Sequence, residues 1–176
     1  LDELLRRIVD EMVAFSRAER GFLITIEGEG RPRVQVARNS NREVIAEPDR
    51  QVSLKIVDEV LTTGRGRLLR SARSETPSFS SVNLDLLSVL CSPMISGGRL
   101  IGVLYVDHRA RVGMFSPQDL ELLDVFAVQA AVALENARLL RSHAREEKVR
   151  VLGSVARGVA HEVISLLTVI NSQAQI

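Results

Sequence analysis

The sequence of 176 residues has one cysteine, three histidines set far apart and no apolar run long enough to cross a membrane. Each shortage closes off a class of chemistry. A lone Cys91 can form no intrachain disulfide and cannot build a cysteine-based metal cage. No Cys/His/Asp/Glu cluster has ligand spacing, so no metal is expected. Without an apolar stretch of about 18 residues or a basic-then-apolar start, neither a membrane span nor a secretion signal is read, and a cytoplasmic location is the expectation. Charge of one sign is missing as well. The 23 basic residues are offset by 22 acidic ones, leaving no protein-wide field to draw the chain to nucleic acid or anionic lipid.

What is present is the composition of a globular domain, 45% hydrophobic and 26% charged, in a length suited to one compact domain plus a helical extension. Both ends fall inside amphipathic helical patterns, "LDELLRRIVDEM" at the start and "TVINSQAQI" at the finish, and the chain therefore reads as a piece of a longer protein. Residues 1 to about 18 place Leu1, Leu4, Leu5, Ile8, Val9, Met12, Val13 and Phe15 three and four apart, predicting a helix with one buried stripe. "GFLITIE" (21–27), bounded by Gly21 and a Gly28/Gly30 turn, predicts a strand, with "RVQVAR" (33–38) as its antiparallel partner. "SLKIVDEVLTTG" (53–64) predicts a short helix with Ser53 as N-cap and Gly64 as stop, burying Leu54, Ile56, Val57, Val60 and Leu61. "RLLR" (67–70) is a weaker strand, and "SARSETPSFSS" (71–81) is a loop that is either a pocket lid carrying Phe79 or a plain surface connection.

"LLSVLCSPMISGGRLIGVLYVD" (86–107) joins two β-rich runs through Gly97-Gly98, a pair suited to a tight hairpin. Apolar residues occupy both sides of its second strand, Leu100, Leu104 and Val106 on one and Ile101, Val103 and Tyr105 on the other. Such a sheet must be covered on both faces. "FSPQDLELLDVFAVQAAVALENARLL" then opens a helix with Ser116 as N-cap, Pro117 at the first helical position and Asp119 completing a capping-box variant. Its apolar positions run through Leu120, Leu123, Ala127, Ala130, Leu134 and Ala137. The mixed-charge stretch "RSHAREEKVR" (141–150) reads as a solvated linker helix, and the pattern resumes at Leu152, Val155, Val159, Val163, Leu166 and Ile170 with the period of a coiled coil or bundle.

The first helix, "GFLIT", "SVLCSPM", "GGRLIGVLYVDHR" and the helix from Ser116 together resemble a GAF domain over residues 1 to about 140. The resemblance implies an α+β fold: an antiparallel sheet covered by helices on both faces, one helical face packing into a dimer, a ligand-sized pocket under loops on the other, and a long C-terminal helix. The cyclic-nucleotide signature of phosphodiesterase GAF modules is absent, which leaves the ligand open. Chromophore attachment through Cys91 is not expected, since it sits in an apolar strand and is not followed by His, and His108 after "YVD" reads as ordinary surface.

Beyond a linker at 141–150, "VLGSVARGVAHEVISLLTVI" resembles the first helix of a histidine-kinase dimerisation and phosphoacceptor domain, cut short at 151–176. That resemblance implies His161 as phosphoryl acceptor and Glu162 as the neighbour that takes its proton or orients the ring. On a helix His161 lies about 200° from Val159 and Val163, away from the seam. A partly neutral imidazole is suited to accept a phosphoryl group. The chain departs from the family at Ser165 and Leu166, where Asn or Thr and then Pro are usual. The missing Pro implies a straighter helix, and Ser165 in place of the amide bears on any phosphatase function.

The expectation is thus the sensory and phosphoacceptor fragment of a cytoplasmic two-component sensor histidine kinase. The fragment itself carries no kinase activity and no cofactor, with ATP reaching His161 through an ATP-binding domain outside this chain. Its expected partners are a second copy, that domain, a response-regulator receiver domain and a small-molecule ligand of unknown identity. The alternative is a GAF regulatory module of a cyclase or transcriptional activator with a coiled coil that is never phosphorylated.

Overall fold

A computed structural model of the chain describes residues 1–27, 31–70 and 87–142. The "Gly28/Gly30" turn, the 71–81 loop, most of the linker and the segment carrying His161 and Glu162 lie outside the described residues. Five strands, β1 (Arg20–Glu27), β2 (Arg31–Asn39), β3 (Arg67–Leu69), β4 (Ser88–Ser96) and β5 (Arg99–His108), form one sheet in the order β2-β1-β5-β4-β3. All four pairings are antiparallel. Helix α1 (Asp2–Ser16) precedes the sheet, α2 (Leu54–Thr63) links β2 to β3, and α3 (117–142) follows β5. The chain divides into two compact units, 1–135 and 136–176, and the sheet with its helical cover belongs to the first.

Period-2 alternation gives each strand two working faces. On one side Leu23, Val36, Leu90, Met94, Leu104 and Val106 are buried under Leu5, Val9, Met12 and Val13 of α1 and Leu123, Ala127, Ala130 and Ala131 of α3. On the other, Phe22, Ile24, Val89, Cys91, Val103 and Tyr105 are buried under Ile56, Val57 and Val60 of α2. The expected two-sided cover is therefore present. Two bulges adjust it. Met94 pairs with Gly102 and Ile95 with Leu100, so Ile101 is an extra residue in β5. It turns toward the α1/α3 cluster, not to the side of Val103 and Tyr105 that strict alternation predicts. In β2 the extra residue is Gln35, which restores Val34 to the face of its partner Ile24.

The caps behave largely as their residue types require. At α3 the Ser116 backbone N–H and hydroxyl both donate to Asp119 Oδ2 (2.8 and 2.7 Å), while the Asp119 N–H donates back to Ser116 Oγ at 3.3 Å. Gly97 and Gly98 both have positive φ, 55° and 75°, in the β4–β5 turn, as a tight hairpin demands. Ser53 stands at the N-cap of α2, but its side chain makes no capping hydrogen bond.

Three expectations are corrected. Leu1, Leu4 and Phe15 of α1 and Leu54 of α2 are exposed and do not join the core, because the stripe each helix presents to the sheet is narrower than its apolar surface. Gly21 is not a strand boundary but lies inside β1, where a Cβ would meet Val13 Cγ2 at 2.5 Å and Met12 Cε at 2.9 Å. Its absence of a side chain is what lets α1 sit close on the sheet.

Candidate functional site

The α2 face of the sheet carries several buried polar groups in a short row. Arg20 of β1 and Asp107 of β5 are register partners at one end. Arg20 donates through Nε and Nη2 to the two carboxylate oxygens of Asp107, both at 2.7 Å, and neither side chain is more than 4% exposed. A charge with so little access to water persists only with a partner of this bidentate kind. Nη1 of Arg20 donates to Gln51 Oε1 at 2.9 Å, and Gln51 Nε2 donates to the Ala46 carbonyl at 2.7 Å. The guanidinium also lies 5.5 Å from the centre of the Phe22 ring. Arg20 thus ties two central strands to the segment that leads into α2. Burial drives the Asp107 carboxyl up to about 6, against the pull of the Arg20 charge.

Tyr105, two residues before Asp107 on the same face, packs edge-on to Phe22 with ring centres 5.7 Å apart and stands opposite Cys91 across the β4–β5 pair. Its hydroxyl and that of Ser53 are both fully buried and without a protein hydrogen-bond partner. Burial raises the Tyr105 pKa well above its usual value, so both groups stay neutral hydroxyls able to donate and accept. Unmet buried hydroxyls cost free energy unless something reaches them. At this place they offer a small polar ligand group two hydrogen-bonding sites on an otherwise apolar floor.

Cys91 is fully buried in the same floor, and burial pushes its thiol far from the thiolate form. A thioether link to a chromophore requires an accessible, ionisable thiol, so this cysteine does not fit that role and packs as a small hydrophobe. In the native chain Cys91 is expected to react with a thiol-specific reagent at least about a hundredfold more slowly than in urea, its exposure being limited by opening of the fold. Equal rates in the two conditions would place it at the surface. His108 is partly exposed at the end of β5, where its Nδ1 accepts the Ala110 N–H at 3.1 Å and lies 3.9 Å from Glu19. That is the surface role expected. The described residues hold no cluster of three or more metal-ligating side chains, and none of their helices is long and apolar enough to cross a membrane.

The opposite face is fastened to α3. Buried Ser92 of β4 donates its hydroxyl hydrogen to Asp124 of α3, and Arg99 at the β4–β5 turn donates to Glu135 at 3.0 Å. Ahead of the helix, Ser88 Oγ donates to the Arg111 carbonyl (2.8 Å) and accepts the Met114 N–H (3.1 Å), while the Gly113 N–H donates to the Arg70 carbonyl (2.7 Å). These ties hold the end of β3, the start of β4 and the turn into α3 together. Because Val89 and Cys91 face α2 while Leu90 and Ser92 face α3, a shift of β4 is felt on both sides. None of these long-range pairs is visible in the sequence. The one local signal is an Asp, residue 107, closing an apolar strand.

Comparison with known proteins gives the same architecture. The GAF domain family model matches residues 1–134. A domain of a Sinorhizobium meliloti protein named as a two-component sensor histidine kinase superposes with a TM-score of 0.67, at 17% identity, covering 82% of this chain and 97% of that one. The GAF domain of the cyanobacteriochrome TePixJ gives a TM-score of 0.62 at 14% identity, covering 78% of this chain and 91% of that one. By sequence, the chain is 36% identical over 52 residues to hybrid signal transduction histidine kinase G of Dictyostelium discoideum, which covers 30% of this chain and 2% of that protein. It is 30% identical over 105 residues to a Caenorhabditis elegans protein named as the 3',5'-cyclic phosphodiesterase pde-5, covering 57% of this chain and 14% of that protein. The chain therefore spans only a small part of the length of these curated relatives.

Proposed function

The chain belongs to the GAF domain family, and from that premise we propose that it is the sensory part of a cytoplasmic sensor histidine kinase, whose α3 helix relays the state of the domain to His161. The observation that carries the relay is the buried Ser92–Asp124 hydrogen bond, which joins the strand flooring the α2 face to the helix that leaves the domain. In this reading a small molecule or partner group engages the α2 face, with the Ser53 and Tyr105 hydroxyls as its polar contacts. The strand shifts, and α3 shifts with it. Two copies associate, and the change in their paired helices alters how His161 is presented to the ATP-binding domain of the longer protein. His161 accepts the γ-phosphoryl group on a neutral ring nitrogen, Glu162 takes the proton or steers the ring, and a receiver domain then removes the phosphoryl group.

The experiment is phosphate incorporation from labelled ATP into the longer parent chain. Acid-labile label is expected in the wild type and absent from His161→Gln. Equal labelling of both, or none in a folded, ATP-binding parent, would remove His161 from the relay. The match to a phosphodiesterase over 57% of the chain favours a second reading, in which the same module regulates a cyclase or transcriptional activator through a coiled coil that is never phosphorylated. The unlabelled outcome belongs to it.

A further inference from the structure

Helix α3 has two apolar stripes, and the sheet uses one. Leu123, Ala127, Ala130 and Ala131 are buried against the strands. Val125, Val128 and Val132 lie on the far side of the helix, 57%, 58% and 51% exposed, and at about 100° per residue their mean direction is roughly opposite to the sheet. Three exposed valines on one helix face are not the scattered apolar residues of an ordinary surface. Beside them α1 runs antiparallel to α3. Phe15 and Ser16 share a hollow with Met114 and Asp119, and Leu4 and Ile8 share a groove of about 250 Å³ with Val125, Phe126 and Gln129. The Phe15 and Phe126 rings stand 5.9 Å apart. Leu4 and Phe15, both substantially exposed, extend the patch across α1.

We propose that a second copy of this chain covers this face, and that the two α3 helices pair parallel and in register along Val125, Val128 and Val132. Size is the first ground. The exposed parts of these five side chains come to an area on the order of 500 Å² per copy, so two copies bury about 1,000 Å² before any rim is counted, the least a specific interface needs.

Spacing is the second ground. Intervals of three and four put Val125 and Val132 at the a position and Val128 at the d position of a heptad, and β-branched residues at a favour parallel two-stranded pairing. In sequence the interval of seven continues to Leu139. An antiparallel pair that matched Val125 with Val132 would set Leu139 against Gln118, whereas parallel pairing sets it against its own copy. Charge is the third. The next d position, Glu135, would meet its own copy across a parallel seam, and its carboxylate is already engaged by Arg99.

The inference rests on the dimer in the reading above and adds its partner surface and direction. It is tested on the full chain with Val125→Cys and Val132→Cys made singly, oxidised mildly at tens of micromolar and sedimented in parallel without oxidant. Val44→Cys, exposed but on the other edge of the domain, is the collision control. The buried Cys91 stays in place. Parallel pairing brings like residues together at disulfide distance, so both single variants are expected to give crosslinked dimers at least about tenfold above the control. If neither crosslinks alone but the two variants mixed do, the copies pair antiparallel: this inference falls and the dimer stands. A monomer by sedimentation, with crosslinks no better than the control, would overturn the dimer as well.

Discussion

Replacing Asp107 by Ala is expected to cost about 3–5 kcal/mol of folding stability, which is the usual penalty for leaving one member of a buried ion pair without its partner. The size comes from where Arg20 would be left. Its guanidinium is held between two central strands and the Phe22 ring with almost no access to water, and the side-chain acceptor still in reach would be the neutral oxygen of Gln51. Long side chains can often swing a charge to solvent, but Arg20 is enclosed by the 46–51 segment that Gln51 itself pins. Urea unfolding at pH 7 measures the loss. The same physics makes a second statement. Removing both charges at once, as in Arg20→Met with Asp107→Leu, deletes the desolvation penalty along with the attraction, so the double variant should be more stable than Asp107→Ala. A double variant as damaged as the sum of its parts would mean that the pair adds net stability and is not merely a burden that must stay balanced.

The second large effect is expected at Gly102. A Cβ there would stand 2.1 Å from the Ile24 carbonyl oxygen, 2.6 Å from Met94 Cε and 2.9 Å from Thr25 Cα. Met94 could swing aside, but the other two atoms are backbone of the neighbouring strand. The β1–β5 pairing would have to open beside the β5 bulge. Gly102→Ala should therefore cost about 3 kcal/mol, the upper end of what overpacking a well-filled interior does. Gly97→Asn provides the contrast. Its φ of 55° is one that Asn adopts readily, and nothing lies within 4 Å of the added carbon. That variant should unfold within about 0.5 kcal/mol of wild type. Thermal or urea unfolding of the two variants side by side checks the pair, and a Gly102→Ala chain as stable as wild type would refute the close approach.

These two positions mark the boundary between what the chain spells out locally and what only tertiary register supplies. Alternation in "GFLITIE" and "RLIGVLYVD", the Gly97-Gly98 turn and the Ser116/Asp119 cap are written in neighbouring residues, and the strands and helices occur where those residues place them. The family resemblance over the first 140 residues carries the sheet and its double cover. Other features depend on partners far along the chain. Arg20 meets Asp107 across 87 residues, and Ser92 meets Asp124 across 32. Neither pairing leaves a local pattern. The glycines at 21 and 102 look like punctuation in the sequence and are instead points of contact.

The helix after Ser116 shows the same limit in another form. Periodicity alone picks out the stripe through Leu123, Ala127 and Ala130 as its apolar seam, and the sheet consumes that stripe. The stripe through Val125, Val128 and Val132 is legible as a heptad only once the direction of the sheet is known. Leu1, Leu4 and Phe15 look like core in the sequence for a related reason: on α1 the same apolar surface serves the sheet on one side and lies open on the other.

The central claim is that the domain controls His161 through the rotational setting of α3, and insertion into the 143–150 stretch of the parent chain tests it while leaving both flanking regions whole. At about 100° per residue, two added residues rotate the His161 segment by about 200° relative to the domain, and seven rotate it by only about 20°. Initial rates of acid-labile labelling at His161 are the readout. With coupling between sites worth about 1–3 kcal/mol in signalling proteins generally, the two-residue insertion should change the rate at least about fivefold, and the seven-residue insertion should stay within about twofold of wild type. Two insertions that label at the same rate as each other and as wild type would contradict the relay.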